Sequence, residues 1–232
     1  METFASRGRR CILAVFTHPH DETVWAGGTL ARYAREGVQV YVASATRGES
    51  GSPGSSGMPK AREEELRSVL RLYGVNPPVF LGYQGGETAD AELVGRIRSL
   101  MDRVEPGVVI TLGPSGVAGQ EDYRQVLRAT EEAFHQYRAP ASGEPRLFLC
   151  SAPGGTANWR GLKLSGPDVE PTVLIEVVEF KLLKLQALRM YRSHGDAQEL
   201  ADELERHPAT VEAFHQAYPP VRQGPRAYGF WE

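Results

Sequence analysis

Cysteine is scarce in this chain, and so is lysine. Two cysteines stand among 232 residues, Cys11 and Cys150, each inside an apolar run. That excludes a disulfide framework and fits free buried thiols in a reducing cytoplasm. Lysine occurs only as Lys60, Lys163, Lys181 and Lys184, so arginine supplies nearly all the positive charge. The formal net charge of −3 argues against a nucleic-acid or anionic-membrane partner. No apolar run approaches the ~18 residues of a membrane-spanning helix. Met1 to Arg10 has basic residues but no apolar stretch long enough for a signal peptide, so a cytoplasmic location is expected. Several chemical fingerprints are missing too. Gly27-Gly28 is not the Gly-x-Gly-x-x-Gly of a dinucleotide site, and Ala43-Ser44-Ala45-Thr46 supplies no acidic residue after the second strand. Gly113-Pro114-Ser115-Gly116-Val117 fails the Gly-x-Ser-x-Gly of a serine hydrolase at its last position. Neither Cys-x-x-Cys nor a phosphate-cradling loop occurs.

What is present is an ordinary globular composition, 41% hydrophobic and 24% charged, of a length that suits one domain over residues 1–232. Short apolar runs alternate with longer amphipathic ones. Strands are expected at Cys11–Phe16, Val38–Ser44, Val79–Leu81 and Val108–Leu112, with helices at Trp25–Glu36, Lys60–Tyr73, Ala89–Val104 and Glu121–Tyr137. In Lys60–Tyr73, Leu66, Val69, Leu70 and Tyr73 recur at i, i+3, i+4 and i+7, one apolar face that ends before Gly74. Phe148–Cys150 and Thr172–Val178 read as later strands, and Glu179–Tyr191, Ala197–Arg206 and Ala209–Ala217 as helices. The tail Pro219–Glu232, with Tyr228, Phe230 and Trp231, is expected to pack back on the body. The alternation predicts an α/β fold, a mostly parallel sheet with helices on both faces. Gly48–Gly57 and Gly113–Gly119 read as loops at the carboxyl ends of strands, where such sheets bind ligands.

The first strand runs straight into Thr17-His18-Pro19-His20-Asp21-Glu22. A turn there can aim the His18 imidazole and the Asp21 carboxylate at one point, a nitrogen/oxygen mixture that zinc accepts. Pro19 restricts the backbone around His18. His20, between them, has an ordinary pKa near ~6.5, suited to a general base toward a metal-bound water. The plainer alternative is a polar loop that caps the next helix. The position at a strand's carboxyl end and Gly27-Gly28, which lets that helix close on the sheet, favour a built site.

These residues, followed by Gly27-Gly28-Thr29-Leu30-Ala31, resemble the signature of the LmbE-like / PIG-L deacetylases, zinc-dependent enzymes that remove acetyl groups from N-acetylglucosamine-containing small molecules. Thr46-Arg47-Gly48-Glu49-Ser50-Gly51 resembles that family's Thr-x-Gly-Glu-x-Gly loop. Arg62-Glu63-Glu64-Glu65 is similar to its Arg-x-x-Glu helix, whose arginine contacts substrate. Leu81-Gly82-Tyr83, Lys184-Leu185-Gln186-Ala187-Leu188 and Tyr191-Arg192-Ser193 follow in order, so the likeness covers about residues 10–195. It implies a Rossmann-like sheet, a small-molecule substrate, and zinc or another divalent ion at the sheet's carboxyl edge. A homo-oligomer is compatible with it.

The chain departs from the family pattern at three places. His20 replaces the aspartate that is the family's base. Gly119-Gln120-Glu121-Asp122-Tyr123 replaces Gly-His-Pro-Asp-His, so Tyr123 occupies the position of the third metal ligand, with Glu121 or Asp122 as carboxylate substitutes. Gly85 replaces an aspartate that grips the sugar. The resulting expectation is metal held by His18, Asp21 and Tyr123, His20 as base and Arg62 on the substrate, in a hydrolase that removes an acetyl group from an N-acetylated aminosugar. The alternative is a family member without zinc hydrolysis, lacking metal, that binds a small molecule or a partner. His194 falls where the family often has glutamine, within approach of the site or else on the surface; His135, His207 and His215 read as solvated or core groups.

Overall fold

The computed structural model describes residues 10–49, 58–83, 91–115, 120–137, 143–152, 163–206, 210–221 and 228–231. Seven strands form one sheet: β1 (Cys11–Phe16), β2 (Gln39–Ser44), β3 (Val79–Phe80), β4 (Val108–Thr111), β5 (Arg146–Ser151), β6 (Val173–Glu176) and β7 (Val211–Tyr218). Their order is β3-β2-β1-β4-β5-β7-β6. The first five are parallel, and β7 runs antiparallel to both β5 and β6. The helices are α1 (Asp21–Arg35), α2 (Met58–Tyr73), α3 (Ala91–Val104), α4 (Glu121–Gln136), α5 (Lys181–Met190) and α6 (Gly195–Arg206).

Every residue of β1 is buried, because both faces of the sheet are covered. Ile12, Ala14 and Phe16 join the core under α1, α2, α5 and α6, while Leu13 and Val15 join the core under α3 and α4. Leu66, Val69, Leu70 and Tyr73 of α2 are all buried, as their helical spacing predicts. Phe230 is fully buried, and Trp231 packs beside it on the same core, so the tail does return to the body. At the β1/β4 junction the chain leaves β1 for one face and β4 for the other. That opens the crevice in which open α/β sheets bind ligands.

The segment expected as a helix at Ala209–Ala217 is instead strand β7. Glu212, Phe214 and Gln216 point inward from it at period two. Two of the three are polar, which hides the alternation from a reading by hydrophobicity. Glu212 can be buried because its carboxylate accepts from Gly28 N (3.0 Å), Thr29 N (2.7 Å) and Lys184 Nζ (2.6 Å). Lys184 also donates to the Val24 carbonyl at 2.9 Å, so the pair grips α1 at mid-length. Gly28 is glycine for close packing: a β carbon there would lie 2.8 Å from Val177 Cβ. α1 itself begins at Asp21, four residues ahead of its expected start at Trp25. Val178–Phe180 forms a short 3-10 turn ahead of α5 rather than its first turn.

Candidate functional site

The loop after β1 turns sharply into α1. His20 adopts φ 97°, a left-handed conformation rare for a residue with a side chain and found where surrounding structure enforces it. Its carbonyl accepts from Thr23 N and Val24 N, both at 3.0 Å, and so starts the helix. Asp21 and Glu22 occupy the first turn, where negative charge meets the positive end of the helix dipole, and both are buried. Glu22 accepts from His20 N (3.1 Å), Thr23 Oγ1 (2.6 Å) and Tyr191 Oη (2.5 Å). Burial pushes its carboxyl up in pKa; the Thr23 and Tyr191 hydroxyls and His20 act against that.

His18 sits at the centre. Its Nδ1 meets Thr46 Oγ1 at 2.8 Å, and Thr46 Oγ1 in turn donates to the Thr17 carbonyl at 3.1 Å. The threonine hydrogen is therefore committed, and Nδ1–H of His18 is the donor in that contact. This leaves a lone pair on Nε2 of the neutral ring, and Nε2 lies 2.8 Å from Asp122 Oδ2. Two acceptors at that distance require a shared cation, either a proton or a metal ion. The contact with His18 holds the Asp122 carboxyl below its ordinary pKa, with burial opposing it.

Asp21 is fixed by two donors, His18 N at 2.8 Å and Tyr123 Oη at 3.2 Å. Tyr123 thus enters the site as a phenol. Burial first, then the Asp21 charge, raises its pKa well above the ordinary tyrosine value, which opposes the phenolate a metal ligand would be. Tyr123, expected as the third ligand, here meets Asp21, while Asp122, one residue earlier, is the side chain in contact with His18. Among the described residues no three His, Cys, Asp or Glu side chains stand grouped around one point as a metal shell. His18 and Asp122 are paired, with Asp21 beside them.

His20 lies beside Asp21, its Nε2 3.8 Å from Asp21 Oδ1. Its Nδ1 is against the Pro19 carbonyl and its Nε2 is 3.0 Å from Asp196 Oδ2, so both ring nitrogens face acceptors. Burial lowers its pKa, but Asp196, Asp21 and Glu22 outweigh it and raise the value to about 9. The ring of His194 lies 4.1 Å from that of His20, centroid to centroid. Arg62 donates from Nη1 to the Gly48 carbonyl at 2.8 Å. Thr46, Glu65 and Ser193 join the site from three of the segments that resemble the family, while Asp196, one residue ahead of the expected helix Ala197–Arg206, joins it without having been expected there. Gly85, most of Gly48–Gly57 and residues 116–119 lie outside the described residues.

A buried histidine–carboxylate cluster at the switch point of a mostly parallel sheet defines a Rossmann-like small-molecule enzyme scaffold. The chain belongs to the GlcNAc-PI de-N-acetylase (PIG-L) family, whose pattern matches residues 13–134. A relative from Actinosynnema mirum, a 1D-myo-inositol 2-acetamido-2-deoxy-alpha-D-glucopyranoside deacetylase, is 30% identical over 78% of this chain and 79% of its own length. Among solved structures, the N,N'-diacetylchitobiose deacetylase of Pyrococcus horikoshii matches with a TM-score of 0.68 at 18% identity, over 89% of this chain and 83% of that one. GalB of Pseudomonas putida KT2440, a 4-carboxy-2-hydroxymuconate hydratase, matches with a TM-score of 0.71 at 17% identity, over 93% of this chain and 99% of that one. Those two carry different chemistries on a shared fold, so the reaction has to be argued from the site.

Proposed function

We propose that this chain is a metal-dependent amide hydrolase that removes an acetyl group from the nitrogen of an aminosugar-type small molecule. The observation that carries this is the 2.8 Å approach of His18 Nε2 to Asp122 Oδ2, an imidazole nitrogen and a carboxylate oxygen brought together at the sheet's carboxyl edge. One imidazole nitrogen and carboxylate oxygens are a donor set that suits zinc and similar divalent ions. His18 and Asp122 would hold the ion, with Asp21, tied to the His18 backbone amide, beside them. When bound, it would polarise the acetamide carbonyl and lower the pKa of a water.

The protein's own groups do the rest. Thr46 fixes the His18 tautomer and ring orientation, the usual service of a partner behind a metal ligand. Tyr123 keeps the Asp21 carboxylate turned into the site. His20, which keeps its proton up to about pH 9, suits delivery of a proton from Nε2 to the departing amine better than the base role its position suggested. A further reading, a family member that binds the same class of molecule without hydrolysis, is favoured by the departures at His20 and Tyr123.

Elemental analysis separates these readings. Asp122→Asn and His18→Ala should each lose the bound divalent ion, while Tyr123→Phe should keep it. Metal retained by Asp122→Asn and lost from Tyr123→Phe would restore tyrosine as the third ligand. Wild type free of metal after zinc is supplied would leave the binding reading.

A further inference from the structure

Two buried polar atoms near this site have no hydrogen-bond partner among the described residues: Nε2 of His194 and Nε of Arg62. Such orphans cost stability and call for a reason. The His194 orphan has a defined character. Glu65, as a carboxylate, only accepts; it takes Ser193 N at 3.0 Å through Oε1 and the Ser193 hydroxyl through Oε2. The single hydroxyl hydrogen of Ser193 is thereby committed. Ser193 Oγ also lies 3.0 Å from His194 Nδ1, so in that contact Nδ1–H is the donor. The proton of the neutral ring is on Nδ1, and Nε2 carries a bare lone pair.

We propose that His194 Nε2 is a fixed hydrogen-bond acceptor that reads a hydroxyl group of the bound molecule. The assignment of a sugar-type ligand rests on the deacetylase reading; the acceptor role does not. The residue is only 6% exposed, its ring tilted against His20 at 4.1 Å and edge-on to Tyr191 at 5.7 Å. Burial first, then the charges of His20 and Arg62, pushes its pKa down to about 3, with Asp196 opposing and His18 adding to the fall. A nitrogen so placed stays an acceptor across the physiological range. A hydroxyl fits this orphan because it can give the one hydrogen bond that Nε2 lacks. Sites built to bond a hydroxyl discriminate against ligands that lack it, because the buried partner is left unpaired.

The test is calorimetric binding of N-acetylglucosamine, its singly deoxygenated analogues and myo-inositol to metal-free wild type, His194→Leu and His194→Gln. His194→Leu should weaken N-acetylglucosamine by about tenfold or more, and His194→Gln, whose amide oxygen can accept, by about threefold or less. One deoxygenated analogue should bind wild type and His194→Leu equally. Unchanged affinity in His194→Leu, or equal penalties for every analogue in both proteins, overturns the inference, as does binding of neither polyol by wild type. Binding of myo-inositol alone, with the same dependence on position 194, keeps the inference and overturns the aminosugar reading. Should His194→Leu not fold, nitrogen-15 NMR of wild-type histidines decides: a neutral ring protonated at Nδ1 is expected, and one protonated at Nε2 refutes the acceptor.

Discussion

Glu212 and Lys184 meet at 2.6 Å with side chains only 3% and 8% exposed, and together they hold α1 from the side. Glu212→Ala leaves the Lys184 ammonium buried without its counter-charge. Breaking one side of a buried pair costs about 3–5 kcal/mol. The upper half of that range applies here, because the Gly28 and Thr29 amides lose their acceptor as well. For a chain of this size each kcal/mol moves the melting temperature by about 2–4 °C, so the loss reads as roughly 8–20 °C. The double variant Lys184→Met/Glu212→Leu removes both charges and keeps the volume. It should recover part of the loss and end about 1–3 kcal/mol below wild type, since the two amides stay unpaired. Urea unfolding measures this through the midpoint, with an unchanged slope as the check on two-state behaviour. A Glu212→Ala protein within about 1 kcal/mol of wild type would refute the reasoning, as would a double variant less stable than the single one.

Stability of the metal-free protein should peak near pH 6.5. His194 titrates at about 3 when folded, so between 3 and 6.5 the unfolded chain binds more protons and stability falls as the pH drops. His20 titrates at about 9 when folded, so its contribution is complete below 6.5 and is lost as the pH rises through 9. Thermal unfolding against pH should therefore show both limbs, and His194→Gln should flatten the acid one. Gly28→Ala should cost about 1–3 kcal/mol despite alanine's better helix propensity, because Val177 Cβ sits 2.8 Å from the added carbon and is tied to its backbone; an unchanged denaturation midpoint would mean that α1 shifts freely. Tyr191→Phe should cost about 1.5–3 kcal/mol by removing a donor from the buried Glu22 carboxylate, read by the same unfolding assay.

Local pattern carried the frame of this protein. β1 and β4 are legible as short runs of apolar residues, and α2 as four residues on one helical face. The turn at His18–Asp21 is legible because a histidine and an aspartate three apart, at the end of a buried strand, are two ligand types in a place where ligands bind. The rest depends on pairings across long stretches of chain. Asp196 reaches His20 from 176 residues away, and Glu212 reaches Gly28 from 184 away. Nothing near Glu212 marks it as buried; its acceptors' partners lie on α1 and α5, so it looked like one more exposed helical acid. The choice between Asp122 and Tyr123 is subtler still. Adjacent helical residues point about 100° apart, given 3.6 residues per turn. Alignment with the family puts Tyr123 in the ligand's place, but a phenol beside the Asp21 carboxylate is more stable as a donor than as an anion. The neighbouring carboxylate then faces His18. Which of the two side chains lies against His18 is thus a matter of charge beside charge, a property of the assembled site rather than of the order of its letters.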